Sequence, residues 1–134
     1  MVTCRDLRFR MSTLYRWDDL PVDHPMPTLS RRRVIGECMM ISEVILEKGC
    51  VVATHAHENE QIACVISGRL RFSVGEEGSK DRREIVMTGG EVLHLPSNVP
   101  HAAEALEETV VWDLFSPTSE GTGIDAPRDS PTQT

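Results

Sequence analysis

Two histidines separated by a single residue, His55 and His57, form the densest chemical group in the sequence. On a β-strand, residues i and i+2 point to the same face, so these imidazoles would project side by side from one surface. Gln61 and His101 are two further candidate donors, since Gln61 opens the next apolar run and His101 follows a proline-rich loop. Such side chains can bind divalent transition metals. They form one site if a closed antiparallel barrel brings His101 to His57.

Short strands are the elements that must position these donors. Apolar and β-branched runs recur roughly every ten residues, and no stretch keeps a helical apolar repeat over several turns. Glycine- and proline-containing turns separate the runs. The predicted strands are 39–46, 51–57, 62–66, 69–74, 84–87, 91–95, 102–106 and 109–115. This pattern is typical of an all-β sandwich or barrel with little helix.

Composition and length limit the organisation to one domain. The chain has 134 residues and a net charge of −7, which argues against a nucleic-acid partner. It contains no apolar run long enough for a transmembrane helix and no secretory leader. Four cysteines without a CxxC pair predict a reduced, cytoplasmic protein.

The two ends of the chain differ from its middle. Residues 1–10 are expected to be an N-terminal extension, either ordered or disordered, and a second methionine, Met11, marks an alternative start. Residues 11–115 are expected to form the domain. Residues 116–134 carry one branched aliphatic side chain and no aromatic one, which predicts a disordered tail.

Two separated motifs resemble those of the cupin superfamily. The first comprises Gly49, His55, His57, Gln61 and Gly68, and the second comprises Gly90, Pro96, Asn98 and His101. The resemblance implies a double-stranded β-helix, or jelly-roll barrel. It also implies one divalent transition metal (Zn, Ni, Mn, Fe or Cu) held by His55, His57, Gln61 and His101. The identity of the metal stays open.

Gln61 stands where the commonest cupins have glutamate. Three neutral imidazoles and an amide leave a bound divalent cation with its full formal charge, whereas a carboxylate would neutralise half of it. Such a cation is a stronger Lewis acid and attracts an anionic ligand. A donor set without a carboxylate also stabilises oxidised iron less well. The change therefore favours the polarisation of a carboxylate, hydroxy-keto or enolate ligand over oxygen activation.

A narrower resemblance covers segments 57–70, 95–106 and 112–117. They are similar to the small single-domain cupins of pectin and alginate breakdown, which open 4,5-unsaturated uronates. The resemblance implies that Asp113 is a catalytic general acid or base and that Phe115 shapes an apolar wall. The alternatives are a surface carboxylate for Asp113 and an ordinary core residue for Phe115. The arginine of those enzymes is Ser119 here, so another group would have to bind the substrate carboxylate.

The predicted function is that of a metal-dependent lyase or isomerase acting on a small anionic sugar or keto acid in the barrel cavity. The alternatives are a metal-dependent dioxygenase and a non-catalytic small-ligand-binding module. The resemblance also implies a homodimer that uses an N-terminal strand, and segment 34–46 is apolar on both faces. The run Arg31-Arg32-Arg33 is interpreted as a solvated face or as protection of a sheet edge.

Overall fold

The computed structural model of the chain describes residues 11–119. The expectations for residues 1–10 and 120–134 lie outside this part, so the proposed domain boundaries stay predictions. The described residues contain one short 3₁₀ turn, Trp17–Asp19, and ten strands. The strands are β1 (Asp23–Met26), β2 (Leu29–Ile35), β3 (Met40–Leu46), β4 (Val51–His55), β5 (Glu60–Ser67), β6 (Arg69–Val74), β7 (Arg83–Thr88), β8 (Val92–Leu95), β9 (His101–Ala105) and β10 (Thr109–Ser116).

Two antiparallel sheets face each other and enclose the core. One sheet has six strands in the order β1-β2-β3-β10-β5-β8, and the other has four in the order β4-β9-β6-β7. Several neighbours, such as β3 and β10 or β4 and β9, are distant in sequence, because the chain crosses repeatedly between the sheets. This architecture confirms the predicted all-β jelly-roll barrel.

Alternation along each strand decides which side chains enter the barrel. β3 shows a strict pattern of buried and half-buried residues, and β10 shows the same pattern over its first seven residues. In β6, Leu70 and Phe72 are 2% and 4% exposed, as their spacing predicts. Arg69 and Arg71, which alternate with them, face outward. The inward residues form one aliphatic core that runs between the sheets.

The N-terminal strand pair corrects the interpretation of the arginine run. Arg31 lies on β2 and is only 3% exposed. Its Nε and Nη2 atoms donate to the two carboxylate oxygens of Asp23, at 3.1 and 2.6 Å. Burial opposes ionisation of Asp23, but the neighbouring guanidinium groups outweigh it and hold the pKa of that carboxyl below its usual range. Arg31 is therefore a buried structural residue and not part of a solvated face.

The segment 34–46 is not one strand. A tight turn separates β2 from β3, and the Gly36 amide donates to the Met39 carbonyl at 2.9 Å. The two strands then pair in register, with Val34 opposite Ile41. Met40, Val44 and Leu46 face the core as expected, while Ile41 and Ile45 face the outer side of the six-stranded sheet.

The cysteines divide into two kinds. Cys50 and Cys64 are free thiols, whereas Cys38 is disulfide-bonded. The expectation that all cysteines are reduced is therefore wrong, and cytoplasmic localisation, which rested partly on it, stays a prediction. Within residues 11–119, no helix has the length and apolar character needed to cross a membrane.

Candidate metal centre

Strand pairing brings the most distant histidine to the site. His55 ends β4 and His101 begins β9, and the two residues lie directly opposite each other in the antiparallel ladder. Their rings are 4.4 Å apart between centroids. His57 lies two residues beyond the end of β4, since the predicted strand 51–57 stops at His55. The amide of Asn98 donates to the His57 carbonyl at 2.8 Å, which ties this loop to the one that precedes β9.

The three imidazoles converge at one point in the barrel. His55, His57 and His101 each offer a ligand atom within 4.8 Å of the others. Burial lowers the pKa of both His55 and His101, to about 4 for His101, although a carbonyl hydrogen bond on each ring acts in the opposite direction. These two rings are therefore neutral at physiological pH, which is the form that binds a metal.

Backbone carbonyls fix the tautomer of all three rings. Nδ1 of His55 lies 2.8 Å from the Ala53 oxygen, Nδ1 of His57 lies 3.0 Å from the Asn59 oxygen, and Nδ1 of His101 lies 2.9 Å from the Val99 oxygen. A carbonyl only accepts hydrogen bonds, so each Nδ1 carries a proton. In a neutral ring, Nε2 then has its lone pair free. This is the usual arrangement around histidines that bind metals.

Gln61 is the proposed fourth donor, and its side chain is held in place. Its Nε2 donates to Oδ1 of Asp113 at 2.9 Å, which turns the amide oxygen Oε1 toward His57. Oε1 lies 3.1 Å from Nε2 of His57. With the His57 proton on Nδ1, two hydrogen-bond acceptors face each other across this gap. A cation bound by both atoms removes that repulsion, so the residues present fit a divalent metal.

Asp113 and Phe115 both point into the barrel from β10, at 7% and 4% exposure. Burial raises the pKa of Asp113 to about 7, while the hydrogen bond from Gln61 acts to lower it. The edge of Phe115 packs against the His57 ring, with centroids 5.7 Å apart. Both residues line a cavity of about 40 Å³ that also reaches His55, Gln61 and His101. The surface-carboxylate alternative for Asp113 is therefore wrong.

Sequence reasoning missed one buried residue that supports the site. Asn59 is 3% exposed, and its side chain donates to the carbonyl of Pro117 while its own carbonyl accepts from His57. It thus joins the His57 loop to the segment after β10. An asparagine between two glutamates resembles any exposed turn, so nothing in the sequence marked it. His94, by contrast, lies at the surface and pairs with Glu60 at 2.7 Å.

Comparison with known proteins agrees with this geometry. A family model described as Cupin domain matches residues 42–115. The chain belongs to the cupin family. This confirms the resemblance predicted from the two motifs, and the three-histidine cluster of this cupin supports a divalent metal of unknown identity. A comparison with curated proteins gives no sequence match.

Solved structures share the fold of this cupin over most of its length. An RmlC-like cupin from Shewanella frigidimarina is 22% identical, with a TM-score of 0.73, covering 82% of this chain and 95% of its own. KdgF from Halomonas sp. is 27% identical, with a TM-score of 0.69, covering 81% and 97%. Bacillus subtilis oxalate decarboxylase, whose Mn(II) centres have been described, is 20% identical with a TM-score of 0.70, covering 83% and 32%. This cupin thus spans about a third of the decarboxylase chain.

Proposed function

We propose that this cupin is a metal-dependent lyase or isomerase acting on a small anionic sugar or keto acid. The observation that carries the proposal is the donor set, in which three oriented imidazoles and the Gln61 amide oxygen gather beside the buried Asp113. A divalent metal held there would act as a Lewis acid toward an oxygen of the ligand. The neutral donor set leaves its full charge to attract an anion.

Asp113 is the residue proposed to move a proton. Oδ1 accepts from Gln61, while Oδ2 accepts no hydrogen bond from residues 11–119 and belongs to a side chain that lines the cavity. Oδ2 is thus the atom that can give a proton to the ligand or take one from it. A buried carboxyl that titrates near neutral pH suits general acid–base catalysis. Phe115 keeps water away from the same side of the cavity.

Ring opening of a 4,5-unsaturated uronate is one reaction in this class. Asp113 and Phe115 stand at the positions that the resemblance to the uronate-opening cupins implies, and the neighbour KdgF supports that resemblance. The arginine of those enzymes is replaced by Ser119, and none of the lysines and arginines among residues 11–119 lines the cavity. The bound metal would therefore have to hold the substrate carboxylate by itself.

Metal analysis coupled to a turnover screen tests the proposal. Protein purified without chelators should contain about one divalent transition metal per chain, and chelation should abolish turnover of an unsaturated uronate or keto acid. Nitrogen and oxygen donor sites take up Zn, Ni or Cu readily from solution, so Mn and Fe should also be reloaded. Metal-dependent oxygen uptake with these substrates would support the dioxygenase alternative. Metal binding without turnover of any substrate would support a binding module.

We also propose that the outer face of the six-stranded sheet joins two copies of the chain. Ile62, Ile66 and Val92 are 38%, 44% and 63% exposed on this face or its edge. Part of the charge there is compensated internally, since Glu43 lies 3.9 Å from Arg32. Two chains with a net charge of −7 each can approach through such an apolar, partly compensated surface.

A further inference from the structure

A chamber leads from the metal site into the hydrophobic core. Its polar end is formed by His55, Gln61, His101 and Asp113. Its deeper walls are aliphatic or aromatic, with Val44, Leu46, Val52, Leu70, Phe72 and Val111 as the main contributors. The chamber measures about 40 Å³.

The lining excludes polar groups from this space. Among residues 11–119, no lining side chain other than the proposed metal donors and Asp113 can form a hydrogen bond. A sugar hydroxyl enclosed there would lose its water without gaining a partner, which weakens binding roughly tenfold to hundredfold. Within the same residues, Asp113 is the one carboxyl group in the lining, and no cationic side chain lines the chamber. A ligand carboxylate therefore has no favourable position in the chamber and must stay at the metal.

We propose that the natural ligand is a short-chain aliphatic 2-oxo carboxylate. Its carboxylate and keto oxygens face the donor set, and its short aliphatic tail enters the chamber. This inference rests on the proposed function and narrows it, since it selects the keto acid over the sugar acid. Phe72 is part of the apolar wall and limits the tail, because a longer chain would have to displace its ring.

Calorimetric titration of the zinc-loaded protein tests the inference. The critical pair is 2-oxobutyrate and hydroxypyruvate, which differ only by a methyl in place of a hydroxyl. We expect 2-oxobutyrate to bind at least tenfold more tightly, and galacturonate to bind more weakly still. Along the straight-chain 2-oxo acids, affinity should rise about fourfold per methylene until the tail fills the chamber, and then fall.

Variants on one strand provide the matched control. Val111 faces the chamber, whereas Val110 faces the outer side of the same strand. Val111→Thr adds a hydroxyl without changing the shape and should reduce the preference for 2-oxobutyrate over hydroxypyruvate by about tenfold. Val110→Thr should leave that preference unchanged. If Val111→Thr does not fold, Phe72→Leu gives a second test, since it should move the optimum to a longer tail.

The outcomes separate this inference from the function on which it rests. Failure of the protein to take up zinc would overturn both. Zinc uptake with equal affinity for 2-oxobutyrate and hydroxypyruvate, or with tighter binding of galacturonate, would overturn the 2-oxo acid inference alone. Affinities that do not depend on the length of the aliphatic tail would also overturn the 2-oxo acid inference alone.

Discussion

Gln61 is the residue on which the chemistry of the site depends most. It replaces the carboxylate of the commonest cupins, and its amide is oriented by Asp113 at 2.9 Å. Two separable tasks are thus proposed for Asp113, which are to position a metal donor through one oxygen and to offer the other oxygen to a ligand. Substitutions that remove one task and keep the other distinguish positioning from proton transfer.

Asp113→Asn should keep the positioning of Gln61 and lose the proton transfer. The asparagine oxygen can still accept from Gln61, so metal affinity should stay within about tenfold of the wild type. Turnover should fall by about 10²- to 10⁴-fold, because the proton-transfer group is gone. Asp113→Ala should in addition weaken metal binding by about 10- to 100-fold. Competition with a chelating dye measures the affinities, and equal affinity in the two variants would contradict the positioning task.

The pH dependence of stability should also reveal the effect of Asp113 protonation. In metal-free protein, His101 has a pKa of about 4, below the ordinary 6.5. The unfolded chain therefore binds more protons between these values, and stability is lost as the pH falls through this window. Asp113 acts in the opposite direction, because its pKa is raised from 3.8 to about 7 and its protonation favours the folded state at low pH.

Substitution of Asp113 should therefore make the contribution of His101 to the pH dependence of stability measurable. Between pH 6.5 and pH 4.5 the wild type should change little in its free energy of unfolding, since the two contributions offset each other. Asp113→Asn should lose roughly 2–3 kcal/mol over the same range. Urea unfolding in the presence of a chelator measures both proteins, and parallel pH profiles would contradict the assignment.

At the scale of elements, turns decide the register that assembles the site. β5 and β6 are joined through Gly68, which has a φ of +94°. A Cβ at this position would lie 2.3 Å from the Glu108 carbonyl oxygen and 2.6 Å from the Thr109 hydroxyl. Thr109 is fully buried and bonds to both the amide and the carbonyl of Arg69. The turn is therefore packed against the start of β10, the strand that carries Asp113.

Gly68→Ala should destabilise the protein by roughly 3 kcal/mol, because both the backbone strain and the clash with a neighbouring carbonyl must be relieved. Gly78→Ala is the matched control. Gly78 also has a positive φ, of +79°, but a Cβ there meets nothing within 4 Å, so its cost should be only about 1–2 kcal/mol. Thermal or urea unfolding compares the two variants. Equal losses would show that the close approach at Gly68 is unimportant.

At the scale of the whole molecule, the two sheets offer different outer surfaces. We expect light scattering to give a mass near twice the chain mass of 15.0 kDa. Ile62→Glu adds a charge to the outer face of the six-stranded sheet and should yield monomers. Val86→Glu on β7 adds the same charge to the other sheet, at a similarly exposed position of 44% against 38%, and should leave the dimer intact. A monomeric wild type would refute the proposed interface.

The sequence alone was sufficient for the barrel and for the three-histidine cluster. Strand alternation predicted which residues of β3, β6 and β10 share a face, because the two-residue period is a local property of the backbone. The two motifs predicted which histidines belong together, and the left-handed φ of 66° at Asn98 is a conformation that asparagine tolerates. The strand pair β1–β2 and the burial of Arg31 were missed, because a run of three arginines has no apolar pattern.

Only the tertiary structure decided how these residues act. It showed His101 opposite His55, three carbonyls that fix the imidazole tautomers, and the hydrogen bond between Asp113 and Gln61. It also showed an apolar chamber beside the proposed metal, with no cationic lining among residues 11–119. Apart from the carbonyls, which lie two residues from their histidines, these features depend on contacts between segments far apart in the chain. Local sequence patterns specify which way a side chain points but not which distant group it meets.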